Sequence, residues 1–216
     1  MIKAKVHKAV VLSCLIVLFA SSIGFAQKGV QVGVRFIPQS TSFIFNTGFP
    51  LVDMLKLAPY YARFRTAQGI GVLYNPHEHW SIGADVLYSL HGGGYETRTT
   101  NVNYLKVPVW LGYNANSRHK LMFNMQIGLD FAYVMNANMT YKDGDPVNII
   151  HAVNRTNWGM PFAMGFKFKF LKSYYLNTQI YIYADVKTLS KTNPGFEVKD
   201  YILPGFRFSI DRRLGK

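Results

Sequence analysis

Residues 121–133 read LMFNMQIGLDFAY and alternate large apolar side chains with polar or small ones. Leu121, Phe123, Met125, Ile127 and Leu129 begin the apolar row, which Phe131 and Tyr133 complete. Because successive side chains of a β-strand point to opposite faces, this period of two predicts a strand with one apolar and one polar face. The segment is long enough to cross a bilayer, for which a tilted strand needs about 9–11 residues.

Seven further segments carry the same alternation. Their apolar rows begin at Val30, Ile70, Trp80, Leu105, Trp158, Leu176 and Ile202. The connections alternate between long ones and short ones. The long ones are residues 39–65, 92–100, 137–156 and 190–199, and the short ones lie near residues 75–79, 116–118 and 172–173. Outer-membrane barrels have short periplasmic turns and longer extracellular loops. The sequence therefore predicts an all-β fold, an eight-stranded antiparallel transmembrane β-barrel with an up-and-down meander.

The first 26 residues have the pattern of a cleaved secretory signal peptide. Lys3, Lys5 and Lys8 form a basic start, residues 9–19 are almost entirely apolar, and small residues precede Gln27. We therefore predict a signal peptide at residues 1–26 and one outer-membrane β-barrel domain at residues 27–216. This organisation predicts an exported protein that is integral to the outer membrane of a Gram-negative cell envelope.

Composition agrees with a barrel that faces lipid outside and polar groups inside. Aromatic residues make up 15% of the chain and charged residues 16%, below the roughly 25% of soluble proteins, while mean hydropathy is only +0.04. The single cysteine, Cys14, lies in the predicted signal, which excludes thiol chemistry and disulfides from the mature chain. The net charge is +13, and removal of three lysines with the predicted signal leaves +10. In an exported chain this charge does not indicate nucleic acid; it could meet lipopolysaccharide phosphates or an acidic partner, or the extramembrane loops could simply be basic.

Three segments between residues 79 and 133 resemble a known family. They read HWSIGADVLYS (79–89), YLKVPVWLGY (104–113) and GLDFAY (128–133). In this order and spacing they resemble the PorT-like outer-membrane β-barrel domain of Bacteroidota envelopes, although Phe131 and Ala132 replace the second glycine of the last motif. The resemblance implies a small barrel, and the named member of that family is linked to secretion of cargo proteins.

Alternation places a set of polar and charged residues inside the predicted barrel. The charged ones are Arg35, Asp85, Lys106, Asp130, Lys167, Asp185, Lys187 and Arg207. An eight-stranded barrel is just wide enough for side chains to fill it. Buried charges are costly unless they are paired. These residues are therefore predicted to form a polar network that plugs the lumen, with a narrow channel for small solutes as the alternative.

A few serine, histidine and acidic residues could in principle serve catalysis or metal binding. Ser89 and His91 lie on one strand face with Glu96 nearby. This arrangement is the basis of an alternative interpretation, a lipid-modifying hydrolase with its site at the rim. His77 and His79 have the spacing of two metal ligands but lack a third. The glycine-rich segment 91–95 is expected to be a mobile loop. We predict a protein that is not an enzyme and needs no cofactor or metal.

Residues that bind a partner are expected in the long loops, because loops on a rigid barrel usually carry the contacts to other proteins. The candidates for binding an envelope protein lie in loops 39–65 and 137–156, and they are Phe43, Phe45, Phe49, Leu51, Met54, Leu55, Tyr141 and Arg155. Residues 50–57 have a partly helical apolar pattern. The predicted role is that of a structural or accessory component of an envelope or secretion complex, in contact with outer-membrane lipid and lipopolysaccharide.

Overall fold

The computed structural model describes residues 29–45, 62–95, 98–115, 119–142, 144–187, 189–191 and 198–214. The predicted signal peptide and the predicted helical segment 50–57 lie outside these residues. The strands are β1 (Gly29–Phe45), β2 (Arg63–Asn75), β3 (Trp80–Tyr95), β4 (Arg98–Ala115), β5 (Leu121–Tyr141), β6 (Val147–Asn148), β7 (Thr156–Lys169), β8 (Tyr174–Asp185) and β9 (Val198–Arg213).

Eight of these strands form a closed antiparallel barrel, which confirms the predicted fold class. Each long strand pairs with its neighbours along the chain, and β5 pairs with β7 across the two-residue strand β6. The ring closes because β1 also pairs with β9, for example Val34 with Ile210. Closure satisfies the backbone hydrogen bonds of both edge strands, which an apolar surrounding requires.

The alternation read from the sequence sorts side chains between the two faces of this barrel. In β5, residues 121–127 alternate between exposed apolar and buried side chains in a strict period of two. The outward rows of the other strands are likewise apolar and exposed, with Ile70 at 61%, Leu111 at 47% and Phe166 at 55%. The polar partners of these residues point into the barrel.

The two ends of the barrel differ. One end carries the first residues of β1, the last residues of β9 and the tight β2–β3 and β7–β8 connections, and it is called the short-turn end. The opposite end carries the longer β1–β2, β5–β7 and β8–β9 connections, and it is called the long-loop end. In the described residues, no helix is long and apolar enough to cross a membrane.

The predicted long, mobile connection at residues 92–100 is wrong. Strands β3 and β4 continue as a paired ladder until Tyr95 faces Arg98. The glycines of this segment make room for neighbouring side chains: a Cβ on Gly92 would meet Arg65 Nε at 2.9 Å, and one on Gly93 would meet Phe43 Cδ2 at 2.9 Å. Glycine therefore serves close approach in a strand here rather than loop mobility.

Candidate functional site

A network of ion pairs lies inside the barrel, and its centre is Asp85 on β3. The Oδ1 atom of Asp85 accepts a hydrogen bond from Arg35 Nε at 2.9 Å, and its Oδ2 atom accepts from Arg207 Nη2 at 2.8 Å and from Trp110 Nε1 at 2.8 Å. Arg35 also donates from Nη1 to Asp211 Oδ1 at 2.5 Å. We call Arg35, Asp85, Arg207 and Asp211 the lower network. Its members lie on three strands, β1, β3 and β9, and the hydrogen bond from Trp110 joins β4 to them.

Uncharged polar side chains form further hydrogen bonds with the residues of the lower network. Arg207 Nη1 donates to Gln179 Oε1 at 2.8 Å and also to Gln126 Oε1. Asn177 Nδ2 donates to Asp211 Oδ2 at 2.7 Å. Nearer the short-turn end, Lys167 Nζ donates to Gln31 Oε1 at 2.8 Å. Charges removed from water in this way keep hydrogen-bonding partners, which is the condition for burying them at tolerable cost.

Gly71 provides the space in which the ion pair of Arg35 and Asp85 fits. A Cβ added to Gly71 would lie 1.8 Å from Asp85 Oδ1 and 2.7 Å from Arg35 Nη2. Both distances are well below contact. The absence of a side chain at this position is therefore a steric requirement of the lower network.

A layer of buried apolar and aromatic side chains fills the middle of the lumen. It consists of Ile37, Ala67, Leu87, Trp110, Ala163, Tyr181, Tyr183 and Ile202. The Trp110 and Tyr181 rings meet edge to face with centroids 6.3 Å apart. Bulky side chains across this section make the lumen a packed interior, as expected for eight strands.

A second group of buried polar residues lies closer to the long-loop end. Lys106 Nζ lies 3.3 Å from Asp130 Oδ2 and 3.5 Å from the centroid of the Tyr183 ring. Tyr183 donates from its hydroxyl to Asp185 Oδ1 at 2.5 Å, and Asn157 Nδ2 donates to Asp185 Oδ2 at 2.6 Å. We call Lys106, Asp130, Asp185, His91 and Asp200 the upper cluster.

Within this region Ser89, His91 and Asp200 form a chain of three contacts. Ser89 Oγ lies 2.8 Å from His91 Nε2, and His91 Nδ1 is in contact with Asp200 Oδ2. Gln39 Nε2 donates to Ser89 Oγ at 3.2 Å. The sequence had suggested Glu96 as the acidic member, but Glu96 lies outside the described residues, and Asp200 of β9 takes that position. The three side chains follow each other in the order of a Ser–His–Asp triad, but the contact of His91 Nδ1 with Asp200 Oδ2 does not have hydrogen-bond geometry, and Ser89 is 1% exposed and His91 0%.

Apolar residues close the lumen above the upper cluster. Phe43, Val102, Val134, Ala137, Val153 and Leu189 are buried together at the long-loop end, and we call them the apolar cap. The prediction that Phe43 is a partner-binding loop residue is therefore wrong. The reason is that β1 extends to Phe45, which turns the Phe43 side chain inward.

The lumen residues predicted from alternation lie inside the barrel, with one exception. Arg35, Asp85, Lys106, Asp130, Lys167, Asp185 and Arg207 are buried. Lys187 is exposed, because β8 ends at Asp185 and the alternation stops there. Its Nζ lies 3.4 Å from the carbonyl oxygen of Thr156 at the rim. Alternation did not predict that Asp211 pairs with Arg35 or that Asp200 contacts His91. Both contacts depend on the register of β9 in the barrel.

Two predicted partner-binding residues lie exposed at the long-loop end. Tyr141 is the last residue of β5, and Arg155 precedes β7 and donates from Nη1 to the hydroxyl of Tyr133 at 3.2 Å. The side chain of Phe45, together with Phe49, Leu51, Met54 and Leu55, lies outside the described residues. In the described part of the chain, no group of three or more His, Cys, Asp or Glu side chains is arranged to hold a metal ion.

A barrel with an apolar exterior and a paired polar interior defines an integral membrane protein of the outer-membrane class. The outer membrane protein beta-barrel domain family matches residues 25–183, about three quarters of the chain, so this protein belongs to that family. It is an integral protein of the outer membrane. The long-loop end is then extracellular and the short-turn end periplasmic.

Solved structures share the barrel at low sequence identity. Neisserial surface protein A (NspA) is 10% identical with a TM-score of 0.51, and the match covers 86% of this chain and 97% of that one. Ail, the attachment invasion locus protein of Yersinia pestis, is 10% identical with a TM-score of 0.49 over 87% of this chain and 100% of that one. At such identity the likeness to NspA shows a shared fold and nothing of function. No curated protein matches the sequence.

Proposed function

We propose that this protein is a non-enzymatic barrel of the PorT-like type that serves as a structural or accessory component of an envelope or secretion complex. The observation that carries the proposal is the filled lumen. The lower network, the middle apolar layer, the upper cluster and the apolar cap occupy its length with paired or packed side chains. Because the described side chains occupy the interior along its length, we infer that the protein acts through its outer surface and its loops.

Two surfaces of the barrel are available for contacts with other molecules: its apolar outer face and its long-loop end. The apolar belt lies in outer-membrane lipid, and exposed cations at the long-loop end, among them Arg63, Arg155 and Lys187, suit the phosphates of lipopolysaccharide. The long loops, including residues 46–61, Tyr141 and Arg155, are the proposed contact with an envelope protein. The PorT-like motifs at 79–89, 104–113 and 128–133 support a role in secretion.

The test is a mild crosslink and affinity pull-down from isolated outer membranes, followed by mass spectrometry. The variant replaces residues 46–61 by a glycine–serine linker of equal length, which leaves β1 and β2 intact. The control makes the same replacement at residues 116–118 of the opposite end. A stoichiometric partner lost only with the first replacement supports the proposal. Absence of any specific partner from a folded barrel contradicts it.

A second candidate function, a lumenal serine hydrolase acting on acyl esters of lipids, is favoured by one observation. Ser89, His91 and Asp200 are in contact in the order of a triad, with Ser89 Oγ 2.8 Å from His91 Nε2 and His91 Nδ1 next to Asp200 Oδ2. A neutral imidazole protonated at Nδ1 would accept the Ser89 proton and donate to Asp200. Burial of all three residues opposes this candidate, because a substrate carbonyl has to reach Ser89 Oγ.

A fluorophosphonate probe distinguishes the two candidates. Labelling of the folded barrel that disappears in Ser89→Ala and His91→Gln, but persists in Ser81→Ala, would establish a nucleophilic serine. Ser81 is a matched control because it is a buried serine on the same strand. A folded barrel that stays unlabelled removes the hydrolase and leaves Ser89 and His91 as packing and hydrogen-bonding residues.

A further inference from the structure

A furrow crosses the outer face of the barrel over four neighbouring strands. Its volume is about 530 Å³, and its walls come from β3, β4, β5 and β7, with outward side chains of Ile82, Val109, Leu111, Leu129, Phe131 and Met160. Because this face lies in the lipid belt, whatever fills the furrow in the membrane is hydrocarbon.

The ladder between β5 and β7 is interrupted beneath the furrow. The pairing of β5 with β7 runs to Ile127 and Phe162 and resumes at Asp130 and Gly159. Pro161 lies in the interval and has no N–H to donate to the ladder. It faces Gly128, where an added Cβ would lie 3.3 Å from Pro161 Cγ and 2.4 Å from the carbonyl oxygen of Val109. Pro161 is buried and lies, like Gly128, on the inner face of the sheet, so the furrow overlies an interruption of the β5–β7 ladder.

Cations lie directly above the furrow, towards the extracellular end. Along β5, Phe131 in the furrow is followed on the same face by Tyr133, about 7 Å further along the strand. Arg155 donates from Nη1 to the Tyr133 hydroxyl at 3.2 Å, and Lys187 Nζ lies 3.4 Å from the carbonyl oxygen of Thr156, the next residue. Trp158, paired with Phe131, adds an exposed aromatic ring at the same level. Aromatic rings and cations mark the membrane interface.

We infer that this furrow and the cations above it form a binding site for one molecule of phosphorylated glycolipid of the outer leaflet. One acyl chain lies in the furrow, and a phosphate lies against Arg155 and Lys187. The apolar furrow suits the acyl chain of such a lipid, and the two cations suit its phosphate. The inference rests on the lipopolysaccharide contact of the proposed function and gives that contact a location.

Native mass spectrometry of the purified barrel in detergent, titrated with purified lipid A, tests the site. We expect a one-to-one adduct, with affinity reduced on the order of tenfold in the double variant Arg155→Ala and Lys187→Ala, as expected for lost charge-assisted contacts. Val109→Phe fills the furrow and should weaken binding similarly. Arg212→Ala and Val72→Phe are the controls.

The controls match the test variants in chemistry and differ in place. Arg212 also lies near a tyrosine, 5.9 Å from the Tyr174 ring, but at the short-turn end. Val72 is an outward valine 47% exposed, against 43% for Val109. Unchanged affinity in the Arg155 and Lys187 variant or in Val109→Phe would overturn the site. Equal binding of dephosphorylated lipid A or of phosphatidylglycerol would overturn the choice of lipid.

Envelope proteins are absent from this titration. Failure of lipid A to bind would therefore refute the lipid site, whereas the loop–partner proposal depends on the pull-down alone. Heat-dependent migration in gels checks that each variant is still a folded barrel.

Discussion

Arg35 and Asp85 are separated by 50 residues in the sequence and meet inside the barrel, with Arg35 Nε 2.9 Å from Asp85 Oδ1. The strands that carry them, β1 and β3, are not adjacent in the sheet, because β2 lies between them. The ion pair therefore spans the inner face of β2, directly over Gly71. Contacts of this kind stabilise the barrel from within, in addition to the hydrogen bonds between its strands.

Asp85→Ala should destabilise the barrel by about 3–5 kcal/mol, since removal of one partner leaves the buried Arg35 and Arg207 guanidiniums without their shared carboxylate. Urea unfolding in lipid vesicles, followed by tryptophan fluorescence, measures the change. Asp145→Ala, at an exposed carboxylate, is the control and should be neutral. Unaltered resistance of Asp85→Ala to heat and detergent would show that the lower network contributes no stability.

Gly71→Ala should also destabilise the barrel, by about 1–3 kcal/mol or more, because its methyl group would occupy the position of Asp85 Oδ1. Gly144→Ala is the matched control, since its nearest neighbour to an added Cβ is Tyr141 Cβ at 3.6 Å. The same unfolding measurement applies. Equal stability of the two variants would mean that the space beside Gly71 is not required.

Lys106 and Asp130 should be strongly coupled. Asp130→Leu and Lys106→Met each leave one buried charge without its partner at 3.3 Å, and each should cost about 3–5 kcal/mol. The double variant removes both charges and should cost less than the larger single change. A double-mutant cycle of unfolding free energies measures the coupling.

Two exposed residues at opposite ends of the barrel provide the reference for this cycle. Asp145→Ala and Lys172→Ala share no partner, so their effects should add within about 0.5 kcal/mol. Additive effects at Lys106 and Asp130 as well would show that these two side chains do not stabilise each other.

The purified barrel should not conduct ions. The middle apolar layer, with Trp110 and Tyr181 packed against each other, closes the section through which solutes would pass. Planar-bilayer recording and swelling of proteoliposomes in small sugars check this expectation. Stepwise conductance from the unmodified protein would instead support the narrow-channel alternative, and Trp110→Ala would then be expected to enlarge it.

The fold was predictable because its signal is local and periodic. The row from Leu121 to Tyr133 assigns each side chain to a face with no knowledge of its neighbours, and seven of the eight predicted lumen charges are buried accordingly. Lys187 was misplaced because alternation does not reveal where a strand ends. The glycines at 92–94 were predicted to form a mobile loop, whereas Arg65 and Phe43 pack closely against two of them. A run of glycines is compatible with either arrangement, so the sequence does not distinguish them.

The partners of the buried charges were not predictable from alternation. Which carboxylate reaches His91 depends on the register of β9 against its neighbours and on the curvature of the closed ring, and so Asp200 was missed in favour of the nearby Glu96. The outward furrow was hidden for the same reason. Pro161 and Gly128 are ordinary residues of their own strands, and the interruption of the ladder beneath the furrow follows only from the register that places them opposite each other.

The pairing of β1 with β9 sets the order of events during biogenesis. A nascent chain that ends before Val198 has two unpaired edges and a half-exposed set of charges, a form that hydrocarbon cannot accommodate. Insertion is therefore coupled to arrival of the final strand. Loss of β9 should therefore lower the amount of folded barrel in the outer membrane.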